Sequence, residues 1–204
     1  MVIFIFGLLH NTAPQQQPKN ILNNVEHVRT LLEGLNKSAR KVVPMSNQGT
    51  LVSVALSAWN TNIERAEKLF FNLSKEQLNA EVAPGKNRLI YLWGHFTAVH
   101  DAMLPLLDFG PRLYPQFDNL FITSPDKAAT NLPAIEELKK SWTEVTAKLS
   151  EGFGKLNTDD WLARHTAVSA EDFAKNPLRN RFAILLSRTN HLSYHLGQAV
   201  LTPK

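Results

Sequence analysis

The sequence predicts an all-α protein, a four-helix bundle with a long crossover between its second and third helices. Three observations carry this. Apolar side chains recur at helical spacing in four separate stretches. No stretch sustains the alternation of apolar and polar residues that marks a half-buried strand. Prolines and glycines fall between the four stretches, most densely between the second and third, as a bundle with one long connection requires.

The first stretch runs from Thr50 to Leu73. Leu51, Val54, Leu56, Trp59, Ile63, Ala66, Leu69 and Phe70 recur there, with Asn60, Glu64, Glu67 and Lys68 between them. Pro84-Gly85 then breaks the chain. The second stretch, about Asn87 to Leu107, passes through Leu92, Trp93, Phe96, Val99, Met103 and Leu106. It is apolar all round, so most of its circumference is expected to be buried.

From Asp108 to Leu132 no period is sustained, and Gly110, Pro111, Pro115 and Pro125 interrupt the chain. A connection of that length is expected to cover a groove or a site. Its aromatics Phe109, Tyr114, Phe117 and Phe121 suit a plug at one end of the bundle better than the lining of a pocket.

The third helix is expected to begin around Pro133, since proline suits a first turn. It carries Ile135, Leu138, Trp142, Val145 and Leu149, and ends at Gly152 and Gly154. Asp159 to Asn176 reads as turns and one-turn helices. The fourth helix starts near Pro177 and continues to Val200, with Gly197 as its one internal breaker.

Residues 45–204 thus form the expected domain, and residues 1–44 read as an extension. Met1 to Leu9 is almost wholly apolar but too short to span a bilayer, which needs about twenty residues. It also lacks the positive start of a secretory signal. Asn11 to Lys19 is a polar linker, and Ile21, Val25, Val28, Leu32 and Leu35 allow one amphipathic helix. The extension is expected to be disordered or one loosely docked helix. A working protein that begins near Met45 is the simpler reading of it.

Cysteine is absent from the 204 residues, which excludes disulfide scaffolds, thiolate zinc sites and cysteine nucleophiles. Any nucleophile must be an oxygen or nitrogen, or arrive with a substrate. The composition fits a reducing compartment, so the expected location is cytoplasmic.

The net charge of +4 is concentrated in the extension. There Lys19, Arg29, Lys37, Arg40 and Lys41 face only Glu26 and Glu33, leaving the rest of the chain close to neutral. Phosphate binding needs clustered Lys and Arg, so no nucleic-acid partner is expected. No membrane partner is expected either.

The chemistry-bearing residues are histidines, at His10, His27, His95, His100, His165, His191 and His195. His191 and His195 stand four apart on the fourth helix, about 40° apart on one face, so both imidazoles can reach one ion. They resemble half of a metal site, which a third ligand from a neighbouring helix would complete.

The second helix offers His95 and His100, five apart and therefore about 140° round, so the two are not expected to serve the same ion. On the fourth helix the apolar arc is Phe182, Leu185, Thr189, Leu192 and Leu196. Ile184, Arg188, His191, His195 and Gln198 lie beside that arc, as a cleft between helices requires. No glutamate follows His191, which excludes the His-Glu-x-x-His protease pattern. Leu92, Arg188 and Leu192 stand three before the histidines, which excludes the Glu-x-x-His pairs of di-iron bundles.

Two blocks carry a family resemblance. Leu92-Trp93-Gly94-His95-Phe96, with Asn190-His191-Leu192-Ser193-Tyr194-His195-Leu196-Gly197-Gln198 near the C-terminus, resembles the DinB superfamily, the DinB/YfiT-like metalloenzymes. The similarity runs from about Thr50 to Leu201. It implies a four-helix bundle that binds a divalent metal through one histidine of the second helix and a His-x-x-x-His pair of the last. Carried onto this chain, the ligands are His95, His191 and His195, with His100 as the alternative to His95. Three neutral imidazoles suit nickel, zinc or iron(II) and leave coordination positions open for water or substrate.

The resemblance also implies chemistry. Characterised relatives include thiol-dependent transferases and isomerases, and some hydrolase-like members, so the expected substrate is a small molecule and the expected cosubstrate a low-molecular-weight thiol. The competing expectation is a non-catalytic, stress-related bundle, dimeric or binding a partner or ligand, with a structural or incidental metal. A homodimer is compatible with either.

Three other residues bear on the site. Arg188, one turn before His191, is a candidate to bind an anionic substrate group, although pairing with an acid of a neighbouring helix is the simpler reading. Tyr194 is a candidate proton donor, and His165 reads as a surface histidine.

Overall fold

In the computed structural model, residues 46–129 and 131–202 are described. The amphipathic helix expected between Ile21 and Leu35, like the rest of the extension, lies outside them. The described residues are all-α. Extended pairing among them is limited to two isolated bridges, Glu81 with Arg88 and Arg164 with Asn180.

The four long helices are α1 (Asn47–Phe70), α3 (Leu89–Asp101), α6 (Ile135–Phe153) and α9 (Arg181–Ala199). Between them stand five short helices: α2 (Lys75–Leu78), α4 (Met103–Leu106), α5 (Phe117–Phe121), α7 (Thr158–Leu162) and α8 (Ala170–Lys175). α9 packs along α1 and against α3, while α3 packs against α5 and α6. All four tryptophans, Trp59, Trp93, Trp142 and Trp161, are fully buried in the one core these helices share.

α1 begins at Ser46, whose hydroxyl accepts a hydrogen bond from the Gly49 N–H at 3.0 Å. Its buried face is Val52, Ala55, Trp59, Asn62, Ile63, Ala66 and Phe70. Leu51 and Val54 were expected in that stripe, yet they are 64% and 63% exposed. Stepping by three and four from the buried Trp59 reaches Ala55 and Val52, so the two larger residues fall on the outer face.

α3 is buried at every position except His95, as its unbroken apolar character demands. It ends at Asp101, earlier than expected, because Pro105 has no N–H to continue the i→i−4 ladder and α4 begins anew at Met103. The other two proline-based starts also move. α6 begins at Ile135 after Pro133, and α9 begins at Arg181, where the Asn180 side chain accepts from Ala183 N–H at 2.8 Å.

The crossover is tied to α3 along its length. At the far end of α3, the fully buried carboxylate of Asp101 accepts from Leu113 N–H (2.8 Å), Tyr114 N–H (3.0 Å) and Arg112 Nε (3.0 Å). Arg112 also pairs with Asp118 and donates to the Ala98 carbonyl at 3.1 Å. At the near end, the Arg88 guanidinium holds Asp126 at 2.7 Å, and Tyr91 Oη donates to the Ser124 carbonyl at 2.7 Å. Between these ties, Phe117 and Phe121 sink fully into the core, and Phe109 and Tyr114 pack partly buried against it.

Candidate metal centre

α3 and α9 bring three histidines together. His95, His191 and His195 each offer a ring nitrogen, and these three atoms all lie within 4.8 Å of one another. His95 Nε2 and His191 Nε2 are 3.1 Å apart, although 96 positions separate them in the chain. The ring centroids stand at 5.0 Å (His95–His191), 5.5 Å (His95–His195) and 4.7 Å (His191–His195).

The local reason is helical phase. On α9 the buried set is Leu185, Thr189, Leu192, Leu196 and Ala199. Ile184, Arg188, His191, His195 and Gln198 all sit half-buried at its margin. On α3, His95 is the one position that escapes full burial, and it turns toward the same margin.

Hydrogen bonds to the outer nitrogens set the tautomers. His95 Nδ1 donates to the Phe121 carbonyl at 2.7 Å; a carbonyl only accepts, so the proton is on Nδ1 and the lone pair on Nε2. His195 Nδ1 donates to Gln198 Oε1 at 2.8 Å, and the Gln198 amide donates in turn to Tyr194 Oη at 3.1 Å. That leaves the Nε2 lone pair of His195 free as well. His191 Nδ1 is buried with no hydrogen-bond partner among the described residues.

Electrostatics keep the His95 and His191 rings neutral. His191 is pushed down to about 4, first by burial and then by His95, His195, Arg188 and His100. His95 is lowered too, chiefly by burial, with the Phe121 carbonyl opposing the shift and His195 and Arg188 adding to it. Imidazole nitrogens that converge in this way are the donor set a divalent cation needs; without an ion, the His191 ring can carry its proton on Nε2 and donate to His95 Nε2 at 3.1 Å. The three residues fit a metal ion.

His100 does not belong to this group. It is fully buried on another face of α3, its Nδ1 bonded to the Phe96 carbonyl at 2.8 Å and its ring against Trp142 and Trp59. His165 is partly buried and also stands outside the group.

Tyr194 is 64% exposed; its ring stands edge-to-face on His195 at a centroid distance of 5.0 Å, while its hydroxyl is linked to His195 Nδ1 through the Gln198 amide. Arg188 was expected to pair with an acid. Among the described residues it forms no ion pair, and its buried Nε has no acceptor.

The sequence reading missed two positioning features. One is the Phe121 carbonyl, a main-chain atom with no signature in the residue code. The other is Gly94, whose missing side chain lets the Phe121 ring lie directly against α3.

A cleft of about 400 Å³ adjoins the centre. His195, Tyr194, Gln198, Leu92, Lys86 and Asn87 are among its lining residues. No helix among the described residues is long and apolar enough to cross a membrane.

Comparison with known proteins agrees with this arrangement. No curated protein matches the chain. The sequence profile of the DinB superfamily matches residues 58–199, a span that includes α3, α6 and α9 and all three histidines. The chain belongs to the DinB superfamily.

Proposed function

We propose that this protein is a divalent-metal-dependent enzyme acting on a small molecule, with His95, His191 and His195 as the metal ligands. The observation that carries the reading is the convergence of three imidazoles from two helices, two of them with Nδ1 protonated and Nε2 left bare. Nickel, zinc or iron(II) suits such ligands. When bound, the ion supplies an open position that polarises a substrate oxygen and lowers the pKa of a water or thiol placed there.

The chain's own residues do the rest. Phe121 and Gln198 hold the His95 and His195 rings in their ligating tautomers, so little reorganisation is needed when an ion arrives. The Tyr194 hydroxyl accepts from Gln198 and keeps its own proton available to a molecule in the cleft. The cleft beside His195 is the size of a small-molecule site.

With no cysteine in the sequence, a thiol reaction needs a low-molecular-weight thiol from outside. Thiol-dependent transfer or isomerisation is therefore the preferred reaction class, and hydrolysis the next. The other reading is a non-catalytic dimeric or ligand-binding protein with a structural or incidental metal. The adjacent exposed Leu51 and Val54 on α1 favour it as a site of self-association.

The test is elemental analysis of purified, tag-free protein beside a His95→Ala/His191→Ala variant. One equivalent of nickel, zinc or iron in the parent and none in the variant is the expected result. No metal in either, after reconstitution, would refute the metalloenzyme reading and leave the binding-protein one.

A further inference from the structure

Arg188 stands one turn before His191 on the half-buried face of α9. Burial lowers its pKa, and it forms no ion pair with a carboxylate among the described residues. A long cationic side chain kept partly out of water without a counter-ion is costly, and helical surfaces ordinarily give such an arginine an acid at three or four residues' distance. Here residues 184, 185, 191 and 192 are Ile, Leu, His and Leu. Helical side chains lean toward the N-terminal turn, so the His191 ring lies over the turn that holds Arg188.

Among the described residues, the cleft at the centre carries no compensating negative charge: it has Lys86 in its lining and no acid. Three neutral ligands leave a divalent ion its full charge, and Arg188 adds one more. Burial of unbalanced positive charge is relieved when an anion joins it. Two buried nitrogens on this face, Arg188 Nε and His191 Nδ1, also have no acceptor among the described residues.

We propose that Arg188 is a binding residue for the carboxylate of an organic anion whose second donor atom occupies the open position at the histidine centre. This rests on the metal-centre reading above and deepens it by naming the ligand class. A carboxylate is preferred over a phosphate because one guanidinium balances its single negative charge through two parallel hydrogen bonds. The site offers neither a second arginine nor a glycine-rich loop for further charge.

The experiment loads the protein with Co²⁺ and follows the cobalt–thiolate absorption band during titration with two thiols. One is 3-mercaptopropionate, which carries a carboxylate; the other is 2-mercaptoethanol, which does not. The parent should bind 3-mercaptopropionate about tenfold or more tighter, the scale of a charge-assisted pair. Arg188→Gln should abolish the preference while still binding Co²⁺, and Arg188→Lys should keep part of it. The metal-free Arg188→Gln protein should melt no lower than the parent, because an unpaired cation has been removed; a purely structural arginine would lower the midpoint.

Equal binding of both thiols by the parent overturns the role of Arg188 but leaves the metal centre standing. So does a preference that survives Arg188→Gln, since the metal alone then accounts for it. Failure of the parent to bind Co²⁺ overturns the centre and this inference together.

Discussion

Gly94→Ala places one methyl group where the structure has none to spare. A Cβ at this position would stand 2.5 Å from Phe121 Cδ1 and closer still to the ring's outer atoms. That is about 1 Å short of the 3.5–4.0 Å optimum between carbon atoms. A flexible side chain would step aside cheaply, but the Phe121 ring is fully buried and packed against Tyr91 and Phe117 at centroid distances of 5.8 and 5.4 Å. Overpacking of this kind costs about 1–3 kcal/mol. Alanine returns about 1 kcal/mol of helix propensity relative to glycine, so the net loss should be about 0–2 kcal/mol.

The second effect lies at the metal centre. The residue whose ring must retreat is the one whose carbonyl accepts from His95 Nδ1, so the ring of the first proposed ligand loses its anchor. Disturbing a partner of a ligating histidine typically weakens metal binding by about 10–100-fold. Denaturant unfolding of the metal-free protein measures the first effect, and calorimetric titration with Zn²⁺ measures the second. A variant more stable than the parent and with unchanged zinc affinity would refute the reasoning at both levels. A stability loss with unchanged affinity would show that the crossover does not orient His95.

Two more predictions concern buried ionisable groups on or next to α3. Asp101→Asn removes the charge that holds Arg112 and presents an N–H₂ group either to the Leu113 amide or to the Tyr114 amide and Arg112 Nε; it should destabilise the protein by about 3 kcal/mol or more and open residues 108–132 to limited proteolysis. A denaturation midpoint equal to the parent's would contradict it. His100 is pushed down to about 4 by burial, with the Phe96 carbonyl opposing, against an ordinary value of 6.5. Below pH 6.5 the unfolded chain takes up a proton that the native state refuses, so stability of the metal-free protein should fall as the pH drops from 6.5 to 4 and then level off. His100 contributes up to about 3 kcal/mol of that fall. His191 follows the same course, so His100→Leu should reduce the slope without removing it, and an unchanged slope in urea titrations across this window would exclude His100 as a source.

Features that live in side-chain periodicity were legible in the sequence. The arc Leu185, Thr189, Leu192 and Leu196 was readable on a helical wheel, and so was the histidine margin beside it, because burial of a regular helix is set by angle alone. The wheel also separated His95 from His100 on α3, and the family pattern favoured His95 while leaving His100 as the alternative. Element ends were less legible. Pro133 and Pro177 signalled starts that the chain delays to Ile135 and Arg181, and the informative residue at α9 was the capping Asn180. Leu51 and Val54 misled because an apolar letter near a helix start does not state which face it occupies. The Phe121 carbonyl and the lack of an acid beside Arg188 are facts of three-dimensional neighbourhood, which no single-chain pattern encodes.

The 3.1 Å approach of His95 and His191 has a topological consequence. An ion shared by the two closes a loop of 96 residues in a chain that has no cysteine to close one. For a covalent link, closing a loop of about 100 residues removes some 4–5 kcal/mol of unfolded-state entropy. A coordination bond does the same reversibly, answering to free metal and chelator rather than to redox state. Such a protein would carry a stapled and an unstapled form under one sequence, with the local availability of the ion deciding how tightly its second and last long helices are bound to one another.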